Sequence, residues 1–331
     1  MHELQFLILT VIVLALLFDF INGFHDTANA IATSVSTRAI KPAHAIIMAA
    51  ALNFLGAIYS TGVAKTIGGD IVASAEMVDE HIIIAALMGS IVWNLFTWYV
   101  AMPSSSSHAL VGGIIGAVLV STGSTGLNFI GIGKIVLSLI ASPLLAIFSG
   151  FIVMTVLFLL FGRFAPSALN GRFKKMQILS AATMAFSHGS NDAQKSMGII
   201  TLALLSGGYL SSFEVPDYVK FLCAAAMACG TALGGWRIIR TIGGKIFKLE
   251  PISGFAADLN SSIVIFSATL LHLPVSTTHV VSGSIMGVGT AKRIRAVRWG
   301  VAQQMLVAWV LTIPCTAVMG ALAYQIVLWI F

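Results

Sequence analysis

Long apolar stretches, separated by short polar loops, run through almost the whole chain. Most of them reach the roughly 20 residues that a helix needs to cross a bilayer. We therefore predict ten membrane segments, at 4–37, 42–63, 82–102, 104–121, 130–162, 176–206, 218–237, 254–272, 275–290 and 299–331. Segments 4–37 and 176–206 would each be about 45–50 Å long as continuous helices, which is more than a span needs. Each has a polar motif in its middle, so we predict that both helices are broken there, and that 104–121 and 275–290 are hairpin-like.

The polar motifs occur twice, in the same order. The pairs are Asn22–Asn29 with His188–Lys195, Pro103–His108 with Pro274–His279, and Thr66–Gly69 with Thr241–Gly244. Two matched halves with interrupted apolar segments are typical of transporters, which bind their substrate where the halves meet. We predict two repeats, 1–165 and 166–331, that together form one membrane domain.

Composition indicates a protein that lies in lipid. Of its 331 residues, 58% are hydrophobic and only 9% are charged, and the mean hydropathy is +0.97. In a soluble domain about a quarter of the residues are charged. We therefore predict an all-α integral membrane protein. The net charge of +6 comes from basic residues clustered in short loops. The positive-inside rule explains these clusters, which do not indicate nucleic-acid binding.

Loop charges predict the orientation of both repeats. The loops at 163–175 and 292–298 are basic and contain no acid, so we place them in the cytoplasm. The loops at 65–80 and 209–220 are acidic, and we place them outside; the acids of the first are Asp70, Glu76, Asp79 and Glu80. Thr66–Gly69 opens this acidic loop, whereas Thr241–Gly244 lies among Arg237, Arg240, Lys245 and Lys248. The repeats are therefore inverted, and both chain ends are external.

Asp26 and Asp192 occupy equivalent positions in the first motif pair. Carboxylates inside a membrane are costly and usually functional, although an acid could also cap a half-helix. Asn29 follows Asp26 by three residues and shares its helical face, so together with the carbonyl groups of the broken helix the two form an oxygen cluster suited to Na⁺. The equivalent of Asn29 in the second half is Lys195. Its ammonium group could neutralise Asp192, take the place of a second cation, or contact an anionic substrate.

The second motif pair predicts two helix starts. Pro suits the first turn, and hydroxyl groups cap free backbone N–H groups. Four hydroxyls in a row exceed the need of a cap, and hydroxyls at a helix N-terminus can bind an oxyanion such as phosphate. The predicted donors are Ser105, Ser106, Ser107, Ser276, Thr277 and Thr278.

Four histidines lie in or beside the motifs: His25, His108, His188 and His279. Each could carry a proton, or orient its neighbours by hydrogen bonding. The sequence leaves both roles open.

These motifs resemble those of the PiT family of inorganic phosphate transporters, and the resemblance covers essentially the whole chain. It implies cation-coupled phosphate uptake, inverted repeats and a homodimer. It also implies that the signature aspartates bind the cation and phosphate, and that the hairpin hydroxyls hold the anion. To the phosphate ligands we add four signature side chains: Asn22, Asn191, Gln194 and Lys195. Many members have Ala-Asn in place of Gln194-Lys195, and the short loop at about 163–176 resembles compact prokaryotic members.

We predict a secondary active symporter that imports inorganic phosphate across the cell (inner or plasma) membrane, with Na⁺ preferred over H⁺. Asp26, Asn29 and Asp192 would hold the Na⁺, and the chain would need no cofactor besides the co-transported ion. A sulfate permease of the same fold, proton-coupled uptake of metal–phosphate, and a channel remain alternatives. An enzyme is not expected: an intramembrane hydrolase would need a motif such as His-Glu-x-x-His, which the sequence lacks. The sequence also lacks a Gly-x-x-x-x-Gly-Lys-Ser/Thr loop, so we do not expect transport driven directly by ATP.

Overall fold

The computed structural model describes residues 2–74, 77–234 and 236–330. Glu76, which we assigned to an acidic loop, and the side chain of Arg237 lie outside the described residues. Within the described part the chain forms twelve α-helices. They are α1 His2–Ser36, α2 Pro42–Ala57, α3 Gly62–Gly69, α4 Glu80–Tyr99, α5 Ser106–Ser121, α6 Phe129–Phe161, α7 Pro166–Ser206, α8 Asp217–Leu233, α9 Trp236–Gly244, α10 Pro251–Leu270, α11 Thr277–Lys292 and α12 Trp299–Ile330.

Among the described residues, four helices are long and apolar enough to cross a bilayer alone, namely α1, α4, α6 and α12. If each of the bent pairs α2–α3 and α8–α9 counts as one span, the number of candidate spans is six. Rows of exposed apolar side chains on α6 and α12, such as Leu144, Leu159, Val310 and Leu322, suit contact with lipid. The integral membrane fold is therefore confirmed.

The predicted breaks in α1 and α7 are wrong, because both helices continue through their polar motifs. Glycine and polar residues indicated the breaks, but the glycines allow close packing instead. A Cβ at Gly23 would lie 2.3 Å from the carbonyl oxygen of Met227, and one at Gly189 would lie 2.1 Å from that of Asn53. The polar side chains are buried against one another, so the backbone does not need to unwind.

The bends occur elsewhere, between α2 and α3 (71°) and between α8 and α9 (75°). The two short helices α3 and α9 were not predicted. Thr66–Gly69 forms the end of α3 and Thr241–Gly244 the end of α9, whereas we expected the first of them to open a loop. Each half therefore contains a broken span, but its second and third helices form that span, whereas we predict the break in its first helix.

The predicted hairpins are present, but each includes the preceding helix: α5 and α11 are single helices, so no turn lies within 106–121 or 277–292. Extended segments at 102–105 and 273–276 connect α4 to α5 and α10 to α11. Each of α5 and α11 has 16 residues and is about 24 Å long, shorter than the roughly 30 Å hydrocarbon core. These helices can therefore begin at mid-depth in the membrane.

The second half of the chain repeats the helix order of the first. Helices α1–α6 have 35, 16, 8, 20, 16 and 33 residues, and α7–α12 have 41, 17, 9, 20, 16 and 32. The packing is reciprocal: α1 packs on α8 and α9, α7 packs on α2 and α3, α5 packs on α12, and α11 packs on α6. Each half thus completes its core with helices of the other half.

Candidate functional site

Asp26 of α1 and Asp192 of α7 meet at one buried centre. A carboxylate oxygen of each, together with a ring nitrogen of His188, lies within 4.8 Å of the other two atoms. Both aspartates are almost fully excluded from solvent, at 2% and 0% exposure. The two halves of the chain therefore supply equivalent acids to the same place.

Asp26 is surrounded by one imidazole and by hydroxyls from both hairpins. Its Oδ1 lies 2.7 Å from His25 Nδ1 and accepts a hydrogen bond from Thr278 Oγ1 at 3.2 Å. Its Oδ2 accepts from Ser106 Oγ at 3.5 Å. His25 Nε2 in turn lies 3.2 Å from Thr97 Oγ1 in α4, which fixes the ring orientation.

Asp192 pairs with a lysine side chain. Lys195, which is completely buried, donates from Nζ to Asp192 Oδ1 at 2.6 Å. Asp192 Oδ2 accepts from Thr277 Oγ1 at 3.1 Å and from Asn22 Nδ2 at 3.5 Å. His188 Nε2 lies 3.5 Å from the same oxygen, and His188 Nδ1 lies 3.0 Å from Asn53 Oδ1. One of the three roles considered for Lys195, neutralisation of Asp192, is thus observed.

Asn29 is linked to both aspartates through the hydroxyls of Thr277 and Thr278. Its Nδ2 donates to Thr278 Oγ1 at 2.9 Å and to Thr277 Oγ1 at 3.4 Å. Its Oδ1 is buried and has no hydrogen-bond partner among the described residues. An unpartnered buried carbonyl oxygen near two carboxylates suits a hard cation, because such ions are bound by oxygen ligands.

The two hairpins begin their helices as predicted. Ser105 caps α5 by accepting from the backbone N–H of His108 at 3.2 Å, and Ser276 caps α11 by accepting from that of His279 at 3.3 Å. Ser107 Oγ donates to the carbonyl oxygen of Val275 at 2.9 Å and so ties one hairpin to the other. Of the six predicted anion donors, Ser106, Thr277 and Thr278 contact the aspartates in this structure.

The four histidines form two pairs with different surroundings. His25 and His188 contact the aspartates. His108 and His279 pack on each other, with ring centroids 4.5 Å apart, and His279 stacks on Trp309 at 4.0 Å. The second pair therefore lies outside the first layer of contacts around the carboxylates.

Two predicted phosphate ligands bond to other parts of the protein. Asn191 accepts from the backbone N–H of Val275 at 3.2 Å and donates to Thr269 Oγ1 at 3.1 Å, which holds the second hairpin. Gln194 Oε1 accepts from the N–H groups of Val63 and Ala64 at 2.7 and 3.2 Å. Gln194 therefore stabilises the start of α3.

Two buried acids, Asp19 and Asp258, escaped the sequence analysis. Asp19 Oδ1 accepts from Ser196 Oγ at 2.7 Å, and Asp258 Oδ1 accepts from Thr33 Oγ1 at 2.5 Å. Their second oxygens have no hydrogen-bond partner among the described residues. Both acids lie outside the duplicated motifs, which is why they were missed.

A signal in the sequence of α1 could have revealed part of this arrangement. Polar residues recur at intervals of three and four, which places them on one helical face. This polar stripe comprises Asp19, Asn22, Asp26, Asn29 and Thr33, all of which are buried.

The two halves of this helical membrane protein supply matched acids and hydroxyl-bearing helix starts to one buried centre. This is the architecture of a transporter. Comparison with known proteins specifies the class: the chain belongs to the Phosphate transporter family, whose model matches residues 22–172 and 163–320. The resemblance to PiT transporters is thus confirmed, and the protein is a multi-pass membrane transporter of phosphate rather than an enzyme.

Individual relatives agree with this assignment. The chain is 51% identical, over 100% of both sequences, to a protein of Bacillus subtilis (strain 168) named "Probable low-affinity inorganic phosphate transporter". A Rhizobium meliloti (strain 1021) protein of the same name is 46% identical over 96% of both chains. A solved structure described as "The sodium-dependent phosphate transporter" superposes with a TM-score of 0.90 and 26% identity, covering 98% of this chain and 100% of that one.

Proposed function

We propose that this protein is a secondary active symporter that imports inorganic phosphate, with Na⁺ as the preferred coupling ion. The observation that supports this most strongly is the shared centre, where Asp26 and Asp192 both accept hydrogen bonds from hairpin hydroxyls. The centre offers oxygen ligands for a cation and, at the starts of α5 and α11, hydroxyl and N–H donors for an anion.

The hydrogen bonds suggest how the two solutes are coupled. Without a cation, the hydroxyls of Ser106, Thr277 and Thr278 donate to the carboxylates. A cation bound at Asp26 and Asn29 takes over the oxygens of Asp26 and frees the hydroxyls of Ser106 and Thr278 to donate to phosphate. Each solute then raises the affinity for the other, because linkage is reciprocal.

Lys195 makes the two halves unequal. In the first half the Asp26–Asn29 pair leaves oxygen atoms for a mobile cation, whereas in the second half an ammonium group already pairs with Asp192. We infer one exchangeable cation site at Asp26 and one fixed positive charge at Asp192. The sodium dependence named for the structural relative favours Na⁺ at the exchangeable site.

The repeat organisation and orientation follow from the same proposal. Residues 1–165 and 166–331 would form inverted repeats that bind substrate between them, and the reciprocal packing of α1 and α7 supports this arrangement. The positive-inside rule, applied to the basic loops, supports a position of both chain ends outside the cell membrane. We also propose a homodimer, as the PiT resemblance implies.

One observation favours a second candidate, proton-coupled uptake of a metal–phosphate complex. Asp26, His188 and Asp192 can direct one nitrogen and two oxygen ligands to a common point. Such a mixed ligand set suits divalent transition metals better than Na⁺. A chelator would abolish this form of transport and leave sodium symport intact.

The test is uptake of radiolabelled phosphate into proteoliposomes, with Na⁺ and H⁺ gradients imposed separately, with and without chelator. Excess arsenate or sulfate serves as competitor. We expect accumulation driven by Na⁺ that arsenate blocks and sulfate does not. Uptake of labelled sulfate in place of phosphate, or flux without accumulation against a gradient, would contradict the proposal.

The matched variants are Asp26→Asn and Asp217→Asn. Asp26→Asn removes the exchangeable cation site and should abolish coupled uptake in a folded protein. Asp217 is exposed and pairs with Lys220 on the surface, so Asp217→Asn should transport like the wild type. Sodium-dependent accumulation retained by Asp26→Asn would exclude the assigned role of that residue.

A further inference from the structure

Four fully buried aspartates in the described part of the chain differ in how their charge is compensated: Asp19, Asp26, Asp192 and Asp258. Asp26 lies beside His25, and Asp192 pairs with Lys195. Asp19 and Asp258 each receive one hydrogen bond, from a hydroxyl group, and each keeps one oxygen without a partner among the described residues. A buried ionised carboxylate without compensation is very costly, so each of these two must bind a proton or a cation.

The surroundings of Asp19 suit a proton better than a metal ion. Its neighbours are the hydroxyl of Ser196 at 2.7 Å and the thiol of Cys223. The adjoining faces of α1, α7 and α8 belong to one buried apolar cluster that includes Ala15 and Met227. Hard metal ions need several oxygen ligands, which this environment does not supply.

Asp258 differs in this respect. Thr33 donates a hydrogen bond to Asp258, and the side chain of Gln177 lies beside the same carboxyl group. Gln177 Oε1 in turn accepts from Thr37 Oγ1 at 2.7 Å. The polar neighbours of Asp258 are thus a hydroxyl group and an amide, whereas those of Asp19 are a hydroxyl group and a thiol. Asp258 is therefore a comparison site for Asp19.

Asp19 is placed to influence the phosphate centre. It lies on the polar stripe seven residues before Asp26, about 10 Å along the helix axis. Its hydrogen-bond donor, Ser196, directly follows Lys195. The charged and titratable groups that face it are Lys195 and Asp192 on α7 and Cys223 on α8. A change of charge at Asp19 therefore acts on the Asp192–Lys195 pair.

We propose that Asp19 binds and releases a proton in each transport cycle, and that the bound proton raises the affinity of the centre for phosphate. The step is the reversible conversion of a carboxylate to a carboxylic acid, with the proton taken from water on the entry side and returned on the exit side. The sign follows from charge: protonation removes one negative charge near an anion site. This inference rests on the proposed phosphate symport and adds a second coupling ion to it.

The experiment measures phosphate accumulation in proteoliposomes at equal Na⁺ and fixed external pH, while the internal pH is varied. Fixing the external pH keeps the ionisation of external phosphate constant. A pH difference of one unit, coupled to one proton per phosphate, supports about tenfold more accumulation. The wild type should show this gain, and so should Asp19→Glu, which keeps a carboxyl group, and the surface control Asp217→Asn.

Asp19→Asn mimics the protonated acid and should lose this gain completely. It should keep sodium-driven uptake and phosphate–phosphate exchange, because exchange needs no net proton movement. A tenfold response retained by Asp19→Asn would overturn the inference, as would loss of the response in Asp258→Asn alone. A wild type that accumulates phosphate with Na⁺ but ignores the pH difference would also overturn it.

Failure of the proposed function has a different signature, since the wild type would then accumulate no phosphate under either gradient. Infrared difference spectra of the wild type give a measurement that does not depend on a variant folding well. Phosphate binding should produce a carboxylic-acid carbonyl band, and Asp19→Glu should shift it. Spectra without such a band would contradict protonation of Asp19.

Discussion

The buried pair of Asp192 and Lys195 leads to a prediction that separates its structural role from its role in transport. Lys195→Met removes the ammonium group and keeps an apolar chain of similar length. Lys195→Asn instead recreates the Asp-x-x-Asn spacing of Asp26 and Asn29. The first variant leaves Asp192 without a cation, whereas the second offers an amide oxygen with which a Na⁺ ion can replace the lysine.

The geometry sets the size of the effect. At the observed 2.6 Å between Nζ and Oδ1, the gross attraction is about 6 kcal/mol with an effective dielectric constant of about 20. Removing one partner of a buried ion pair costs about 3–5 kcal/mol, because the other charge stays buried and unpaired. Mid-sized domains change their melting temperature by about 2–4 °C per kcal/mol, so the loss is on the order of 10 °C.

Thermal unfolding of the purified protein in detergent, in Na⁺ and in choline buffers, measures this directly. Both single variants should melt well below the wild type in choline. Na⁺ at about 100 times its Kd should restore about 2.7 kcal/mol to Lys195→Asn, and it should restore less to Lys195→Met. The double variant Asp192→Asn/Lys195→Met should be more stable than Lys195→Met, because no unpaired charge remains.

Two results would refute this reasoning. Equal melting temperatures for Lys195→Met and the wild type in choline would show that the ion pair does not stabilise the fold. A Lys195→Asn protein without Na⁺ dependence would show that the ammonium group does not stand in for a cation.

Two further predictions concern packing and anion binding. A Cβ at Gly116 would lie 1.8 Å from the carbonyl oxygen of Ala317, whereas one at Gly133 would meet no atom of the described residues within 4 Å. Gly116→Ala should therefore lose about 1–3 kcal/mol in thermal unfolding, and an equal effect of Gly133→Ala would contradict this assignment. Combining Ser106→Ala with Thr277→Ala should weaken phosphate binding, measured by titration calorimetry, more than Na⁺ binding. Equal losses for both solutes would argue against anion binding by these hydroxyls.

The helical membrane fold was predictable because a bilayer imposes a minimum length on each apolar stretch. The ten predicted segments all correspond to helices. The short helices α3 and α9 were not predictable, because they have only 8 and 9 residues with basic side chains among them, and so read as polar loops. The breaks were wrongly located because Gly23 and Gly189 suit a broken helix and a close helix contact equally well, and only the packing partner decides between them.

The centre of the site was predictable from duplication, which marked Asp26 and Asp192 as equivalent. The roles of Gln194 and Asp19 were not. Gln194 stabilises a helix start more than a hundred residues away in the sequence, through bonds to Val63 and Ala64. Asp19 has no equivalent acid in the second half, where the corresponding position is Ala185, so the duplication carried no information about it.

The reciprocal packing of the halves constrains how the protein is made. The polar stripe of α1 is hydrogen-bonded to side chains of α7, α10 and α11, which are synthesised only later. Until then Asp19 and Asp26 face lipid or a transient partner, and each charged group at mid-depth costs about 2.5–3.5 kcal/mol. The first six helices therefore cannot reach their final arrangement during their own insertion. Assembly waits for α7, and the chain folds as a single cooperative unit once its second half has entered the membrane.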